Sequence, residues 1–369
     1  MTDATLTQLV SAREPPVTET GALLWLRRNL FGSALNGVAT LAVGIVGAFA
    51  LWQIIEWGIV DAVWRPELAA CRALDHAGAC WGVIAEKFRL IFFGRYPFGE
   101  QWRPLIATLL LILLIVASCY RGFWNKKLFA AWAAGFAAFF VLMHGGIAGL
   151  TSVETARWGG FPLTLLLATI GIAAAFPLAV LVALGRRSEL PAIRTLCIVY
   201  VELVRGVPLI SVLFMASFLF PLFMPPGVTI DVMIRVLLGI ILFSAAYLAE
   251  VVRGGLQSVP ASQLEAAQSL GLSYWQTRRL IVLPQALRAV VPAIVNTFIG
   301  LFKDTSLVVI VSLYELTGSL QLALADADWR SFYLEGYLFI ALIYFACCFA
   351  MSRYSLWLEG RLGAGLRRG

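Results

Sequence analysis

Long stretches without a single charged side chain alternate along this chain with short clusters of arginine. Residues 33–55, 128–153, 158–185, 206–230 and 336–352 contain no Asp, Glu, Lys or Arg. A shorter run, 105–120, is bracketed by Arg103 and Arg121 and opened by Pro104, a residue suited to a first helical turn. Two more runs, 236–249 and 289–302, are apolar but end in charges. A membrane-crossing helix needs roughly 20 residues, so these two carry charges into or beside the bilayer. The pattern predicts an all-α integral membrane protein with eight transmembrane helices.

Composition agrees. Of 369 residues, 60% are hydrophobic and 13% charged, with a mean hydropathy of +0.86. Soluble domains sit near ~45–50% and ~25%, and a globule of this size cannot bury the excess. Disordered, collagen-like and disulfide-scaffold classes are excluded by the same figures.

The net charge of +7 reads as topology, not as a nucleic-acid surface, because the cations sit between apolar runs. With eight spans both ends lie on one side. That side holds Arg13, Arg27, Arg28, Arg121, Lys126, Lys127, Arg186, Arg187, Arg194, Arg253, Arg278, Arg279, Arg288, Arg353, Arg361, Arg367 and Arg368, which is 17 of the 28 Lys and Arg. The opposite side holds nine, six of them in one long loop (56–104) balanced by six acids. Both termini are therefore expected in the cytoplasm. The polar first 32 residues precede an apolar run too long for a signal peptide's core, so it reads as a retained span.

Of six cysteines, only Cys71 and Cys80 share an outer loop, where an oxidising compartment permits a bridge. A disulfide and two free thiols both remain open on the sequence. Cys119, Cys197, Cys347 and Cys348 lie in or beside apolar runs and read as packing residues. Two histidines, His76 and His144, and the absence of any metal-ligand spacing argue against a metalloenzyme.

The most informative stretch follows the sixth span. Ser258 to Gly271 predicts a short helix opened near Pro260 and closed by Gly271 in the left-handed conformation. A second begins at Ser273, with Gln276 in capping-box register. Pro284 then opens span seven. Leu264, Ala267 and Leu270 make a small apolar face, and Glu265 adds one acid. Such a helix either docks into a groove on a partner or lies flat on the membrane.

Glu265-Ala-Ala, Gly271 and Ile281-x-Leu283-Pro284 stand at the spacing of the "EAA" signature, and this stretch resembles that of ABC importer permeases. The resemblance spans roughly 158–360. It includes Trp158-Gly-Gly, Tyr200-Val-Glu202-Leu-Val-Arg205-Gly-Val-Pro208, Ala246-Tyr247-Leu-Ala-Glu250-Val-Val-Arg253-Gly and Lys303-Asp304-Thr305-Ser306-Leu307. The combination is similar to the polar amino acid uptake branch, and the long N-terminal part is similar to the larger permeases of the general L-amino acid systems.

This resemblance implies a type I ABC importer permease core with three extra N-terminal spans. The expected organisation is a cytoplasmic segment 1–32, a three-span extension 33–157 with a periplasmic loop 56–104, a core 158–360 with a coupling loop 258–284, and a basic tail 361–369. Glu265, Ala266, Ala267, Gly271 and Pro284 would couple the spans to an ATPase. The implied partners are a homologous permease, a pair of ATP-binding subunits that hold ATP and Mg, and a periplasmic amino-acid-binding protein. No cofactor is expected on this chain, and the implied place is a bacterial inner membrane. The ends of the stretch 207–212 are apolar where relatives often carry Thr and Gln, which points to an amino-acid site completed by the partner permease.

Charges inside the bilayer are costly, so each calls for a reason. Glu202 with Arg205, and Glu250 with Arg253, each sit three apart on one helix face. They read as self-neutralising pairs that set helix depth, in preference to substrate contacts. Lys303 and Asp304 differ. A single helix from Pro284 to Leu316 would be about 50 Å long against ~30 Å of hydrocarbon. It must tilt or break, and Lys303 to Ser306 is the polar place to break. Transporters use such turns to hold zwitterions, so Asn296, Gly300, Lys303, Asp304, Thr305 and Ser306 are the expected pathway residues; a purely structural Lys–Asp pair is the alternative.

No lysine follows a glycine, so the usual phosphate-binding loop is absent and any ATPase is a separate polypeptide. An ion-coupled secondary transporter is the main rival; no convincing internal repeat supports it. An intramembrane enzyme lacks a nucleophile–base pair, and a channel lacks a recurring polar stripe.

Overall fold

The computed structural model describes residues 21–363 except 75, 76 and 148. Arg13, His76, Arg367, Arg368 and most of the two terminal segments lie outside the described residues. The chain forms two compact units, 1–81 and 82–369, and the division falls inside the long loop between spans one and two.

In the first unit, α1 (Ala22–Asn29) precedes α2 (Ala34–Ile55), a 22-residue apolar helix with Ser33 capping Asn36 N–H at 3.2 Å. The hydrophobic stretch runs on to Val60 and is long enough to cross a membrane. Beyond it, α3 (Leu68–Ala73) is tied back by a Cys71–Cys80 disulfide. Trp81 donates to Gly58 O at 2.8 Å and stacks on Trp64, 5.9 Å between ring centres.

The second unit is all helical apart from loops and one isolated backbone bridge, Gly160 with Glu315, among the described residues. It opens with α4 (Gly82–Phe93), which the long loop's charge had concealed. Val83 and Ile91 on one face are fully buried, whereas Lys87 on another reaches Asp326 at 2.8 Å. Then come α5 (Trp102–Cys119), α6 (Lys126–His144) and α7 (Gly160–Gly185). Arg103, fully buried, closes the end of α6 by donating to Leu142 O at 2.6 Å and Thr151 O at 2.9 Å. Cations complete helix C-termini because the last carbonyls there lack intrahelical donors. Tyr96 donates to the same helix end, at 3.0 Å to Met143 O, and burial pushes its hydroxyl up to about 12.

α8 (Pro191–Arg205) and α9 (Leu209–Phe214) meet at a bend; taken through Phe223, the pair is bent by 104°. Gly206 ends α8 and Pro208, which cannot donate an N–H, starts the next segment. The run 206–230 is thus not one straight span but the second arm of a bent one. Counting the bent pair as one, the described residues hold eight candidate spans, the other seven being continuous.

The remaining helices are α10 (Val232–Ser258), α11 (Ala261–Ser269), α12 (Tyr274–Thr277), α13 (Leu283–Ala289), α14 (Val291–Asp304), α15 (Leu316–Ala323) and α16 (Tyr333–Gly363). α10 packs along α7 at the centre. One core cluster, around Leu166, Ile240 and Leu301, lies toward the far end; a second, around Ala179, Ala249 and Ala286, lies toward the coupling loop. Glycine decides the tightest crossing. Gly160 has φ +63°, and a Cβ there would stand 2.0 Å from Phe92 O; one on Gly94 would stand 2.6 Å from Gly159 Cα. Only residues without a side chain allow α4 and α7 to meet this closely.

Candidate functional site: the coupling loop and the charged spans

Between α10 and the next span the chain forms a hinge of well-defined geometry. Pro260 sits ahead of α11 in an extended conformation. At the other end Gly271 has φ +73°; its N–H donates to Gln268 O at 2.9 Å, and Leu272 N–H reaches Ala267 O at 3.1 Å. That pair of bonds is a Schellman closure, which needs the left-handed residue that Gly supplies. The Ser273–Gln276 capping box is present in both directions, at 2.8 and 3.4 Å.

Exposure sorts the loop's residues. Ala267 is 2% exposed and Leu264 half-buried, so these face the spans, whereas Glu265, Ala266 and Gly271 are open and Leu270 is 79% exposed. The apolar face read from the sequence is therefore divided: Leu264 and Ala267 seat the helix, and Leu270 points outward. Tyr274 and Trp275 add exposed aromatic surface beside it.

Pro284 does not open a span. α12 continues through a π-helical turn, Arg278–Val282, straight into α13. The widened turn accommodates a proline that lacks an N–H and crowds the carbonyl four residues back. The break comes at Val290 (φ −113°, ψ 11°), ahead of Pro292, and the span runs Val291–Val311. Lys303 to Ser306 does not break it. There α14 tightens into a 3-10 turn, Thr305–Val311, which ends at Ser312 in the left-handed region (φ 64°). Thr305, fully buried, donates to Phe302 O at 2.7 Å. Asn296 and Lys303 are exposed, Gly300, Asp304 and Ser306 half-buried. Burial pushes Arg187, beside the hinge, below the ordinary guanidinium range, and the neighbouring cations Arg278 and Arg253 add to this.

The charge pairs are rearranged. Glu250 and Arg253 do bond along α10, through Arg253 Nε at 3.0 Å and a shorter Nη2 contact. Glu202 is not held by Arg205. Arg186, at the end of α7, takes Glu202 at 2.9 Å with one nitrogen and Glu250 at 2.8 Å with another, while Arg205 lies 3.8 Å from Glu250. Two i,i+3 pairs have become one network across α7, α8 and α10. Helix spacing cannot reveal a partner on another helix, and Arg186 reads in the sequence only as a topology residue.

A second polar centre escaped the sequence entirely. Glu315 is fully buried at the start of α15. It accepts from Thr317 N–H at 2.8 Å, Gly318 N–H at 3.0 Å, Tyr344 OH at 2.7 Å and Thr164 Oγ1 at 3.2 Å. Leu316 N–H donates in turn to Thr164 at 3.1 Å. The only local hint is an acid ahead of a helical run, an N-cap signal.

A bundle of apolar spans, with a capped and partly exposed helix between two of them, describes a membrane-embedded transport subunit. The chain belongs to the family described as "Binding-protein-dependent transport system inner membrane component", whose model matches residues 175–364. It is 46% identical over 351 residues to the inner membrane amino-acid ABC transporter permease protein YhdY of Escherichia coli (strain K12), covering 93% of this chain and 94% of that one. The glutamate/glutamine/aspartate/asparagine transport system permease protein BztC of Rhodobacter capsulatus is 35% identical over 422 residues, 96% of this chain and 97% of its own. The shorter probable glutamine ABC transporter permease protein GlnP of Bacillus subtilis (strain 168) is 37% identical, covering 55% of this chain and 92% of itself. The family is that of ABC importer permeases, not of ion-coupled secondary transporters. The long N-terminal part is shared with the two relatives matched end to end.

Proposed function

We propose that this chain is the permease subunit of an ATP-driven importer of polar or general L-amino acids in a bacterial inner membrane. It works beside a homologous second permease, two ATP-binding subunits and a periplasmic amino-acid-binding protein. The observation that carries this reading is the end-to-end similarity to YhdY, an amino-acid ABC transporter permease. The missing phosphate-binding loop supports a separate ATPase. The distribution of Lys and Arg supports cytoplasmic termini, with the hinge 258–284 on the same side.

In this reading Glu265, Ala266 and the exposed Leu270 seat α11 in a cleft of the ATP-binding subunit, and Ala267 ties it to the spans. Rotation of that subunit is passed on as a rigid-body movement. The Schellman closure at Gly271 keeps the lever stiff, and Pro284 sits in the first turn of α13, the segment between lever and span. Asn296, Gly300, Lys303, Asp304, Thr305 and Ser306 line the path, and the network of Glu202, Arg205, Glu250 and Arg253 with Arg186 holds three helices in register.

Reconstitution of the four-component assembly in vesicles tests this. Uptake is expected to require ATP hydrolysis and the loaded binding protein. Gly271→Pro, which removes an N–H donor and forbids the left-handed φ, is expected to abolish uptake and ATPase stimulation while membrane insertion persists. Alanine at both Lys303 and Asp304 is expected to change the kinetics of uptake. Accumulation of solute by the chain alone on an ion gradient would overturn the reading.

A further inference from the structure

We propose that Arg235 binds the α-carboxylate of the transported amino acid; the assignment rests on the importer reading above. α10 carries charge near both ends, and the apolar run between Arg235 and Glu250 is 236–249. That run is about 21 Å long at ~1.5 Å per residue, shorter than the ~30 Å hydrocarbon. At least one end of it therefore lies within the membrane. Glu250 is compensated by three arginines. Arg235 has no ion-pair partner among the described residues.

What Arg235 does have is a carbonyl. Its Nη1 donates to Ser217 O, and its Nε is buried without a partner. The carbonyl is available because the residue four positions on, Pro221, has no N–H to give. Satisfying it takes one donor, and a neutral side chain would suffice. A guanidinium brings five donors and a permanent charge, and a carbonyl cannot neutralise that charge. The acid one turn back, Asp231, accepts from Met233 N–H at 2.8 Å and from Thr155, and makes no ion pair with Arg235. A half-buried guanidinium without an ion pair on a transporter span calls for an anion, and bidentate recognition of carboxylates is what arginine's planar fork does best.

Its depth fits the path. A Cβ on Gly171 would stand 3.4 Å from both Ile240 and Leu301, so these two lie level on antiparallel helices. Five residues from Ile240, away from the coupling loop, is Arg235; five residues from Leu301 in the same direction is Ser306. Each step is about 7.5–8 Å. Arg235 is thus level with the polar turn Lys303–Ser306, with α9 packed against both α10 and that turn.

The test uses the purified complex of both permeases and the ATP-binding subunits, without the binding protein. Binding of tritiated L-glutamine, L-glutamate, L-leucine and L-arginine is measured with the matching α-carboxamides as competitors. Wild type is expected to prefer the acid bound best over its amide by at least tenfold. Arg235→Gln is expected to lower acid affinity tenfold or more and leave amide affinity unchanged, collapsing the preference; Arg235→Lys recovers part of it. An assembled Arg235→Gln complex with the wild-type acid-to-amide ratio overturns the assignment. So does a ratio unchanged while uptake becomes dependent on added anionic lipid, which would make the anion a headgroup. Should Arg235→Gln fail to co-purify with its partners, Arg235→Lys decides by the same ratio. Absence of ATP-driven uptake by wild type in vesicles would instead remove the importer reading, independently of the ratio.

Discussion

Glu250 and Glu315 are both acids set in an apolar bundle, and the protein accommodates them by opposite means. Glu250, its side chain 26% exposed, gathers Arg186, Arg205 and Arg253 from three helices. Glu315, fully buried, has no cation within ion-pair distance among the described residues and relies on two backbone N–H groups and two hydroxyls. A charge that retains some water can be balanced by other charges. An acid sealed from water is held by short, fixed dipoles, because importing a counter-ion would add a second desolvation cost. The first arrangement is expected to tolerate loss of a member better than the second.

The sharpest way to break that contrast is Glu315→Ala. It strands the Thr317 and Gly318 N–H groups, the Tyr344 hydroxyl and the Thr164 hydroxyl, and it removes the N-cap of α15. A loss of roughly 3–5 kcal/mol is expected from orphaned buried donors plus a lost cap, read as thermal unfolding of the purified complex in detergent. Glu315→Gln keeps one carbonyl oxygen for the caps and should cost about 1–2 kcal/mol. If alanine and glutamine were equally mild, the hydrogen bonds would not be what holds this acid.

Glu250→Gln should fall next, at roughly 1–3 kcal/mol, since it leaves three partly exposed arginines without their shared acid. Glu202→Gln, at a side chain 61% exposed, should stay below ~1 kcal/mol. Their order is the measurement that matters: a larger loss at Glu202 than at Glu250 would mean the network is centred on α8, not on α10.

These differences also explain what could be read before the fold was known. Spans are dictated locally, by apolar length, and so are the ends of α11, where Gly271, Ser273 and Gln276 act within a few residues of one another. The Glu250–Arg253 bond is likewise local. Arg186 reaching Glu202 and Glu250, or Thr164 and Tyr344 converging on Glu315, depends on which helices become neighbours, and periodicity within one helix carries no such information. α4 was hidden for a related reason. Its charged face gave the segment 56–104 the balance of a loop, and the buried Val83 and Ile91 acquire meaning only against α7, α15 and α16. The bend at Pro208 is not legible either, because an unbroken apolar composition says nothing about direction.

Lys87 and Asp326 extend the series to its exposed limit and should give the smallest effect. The two are 2.8 Å apart on loop and helix surfaces outside the spans. The hydrogen bond from Lys87 holds the Asp326 carboxyl below the ordinary carboxylate range, helped by the Asp328 N–H. A carboxyl whose folded value is depressed stabilises the fold above its unfolded value, near ~3.9. That contribution disappears as pH falls through the lowered folded value. Asp326→Asn should therefore differ from wild type only above that acid limb, slightly, and less so at high salt, because exposed pairs are screened. Unfolding temperatures of the two proteins should converge as the pH is lowered through that window. If instead they stayed apart at acid pH, the carboxylate's charge would not be its contribution, and Asp326 would belong with Glu315 as an acid retained for its geometry.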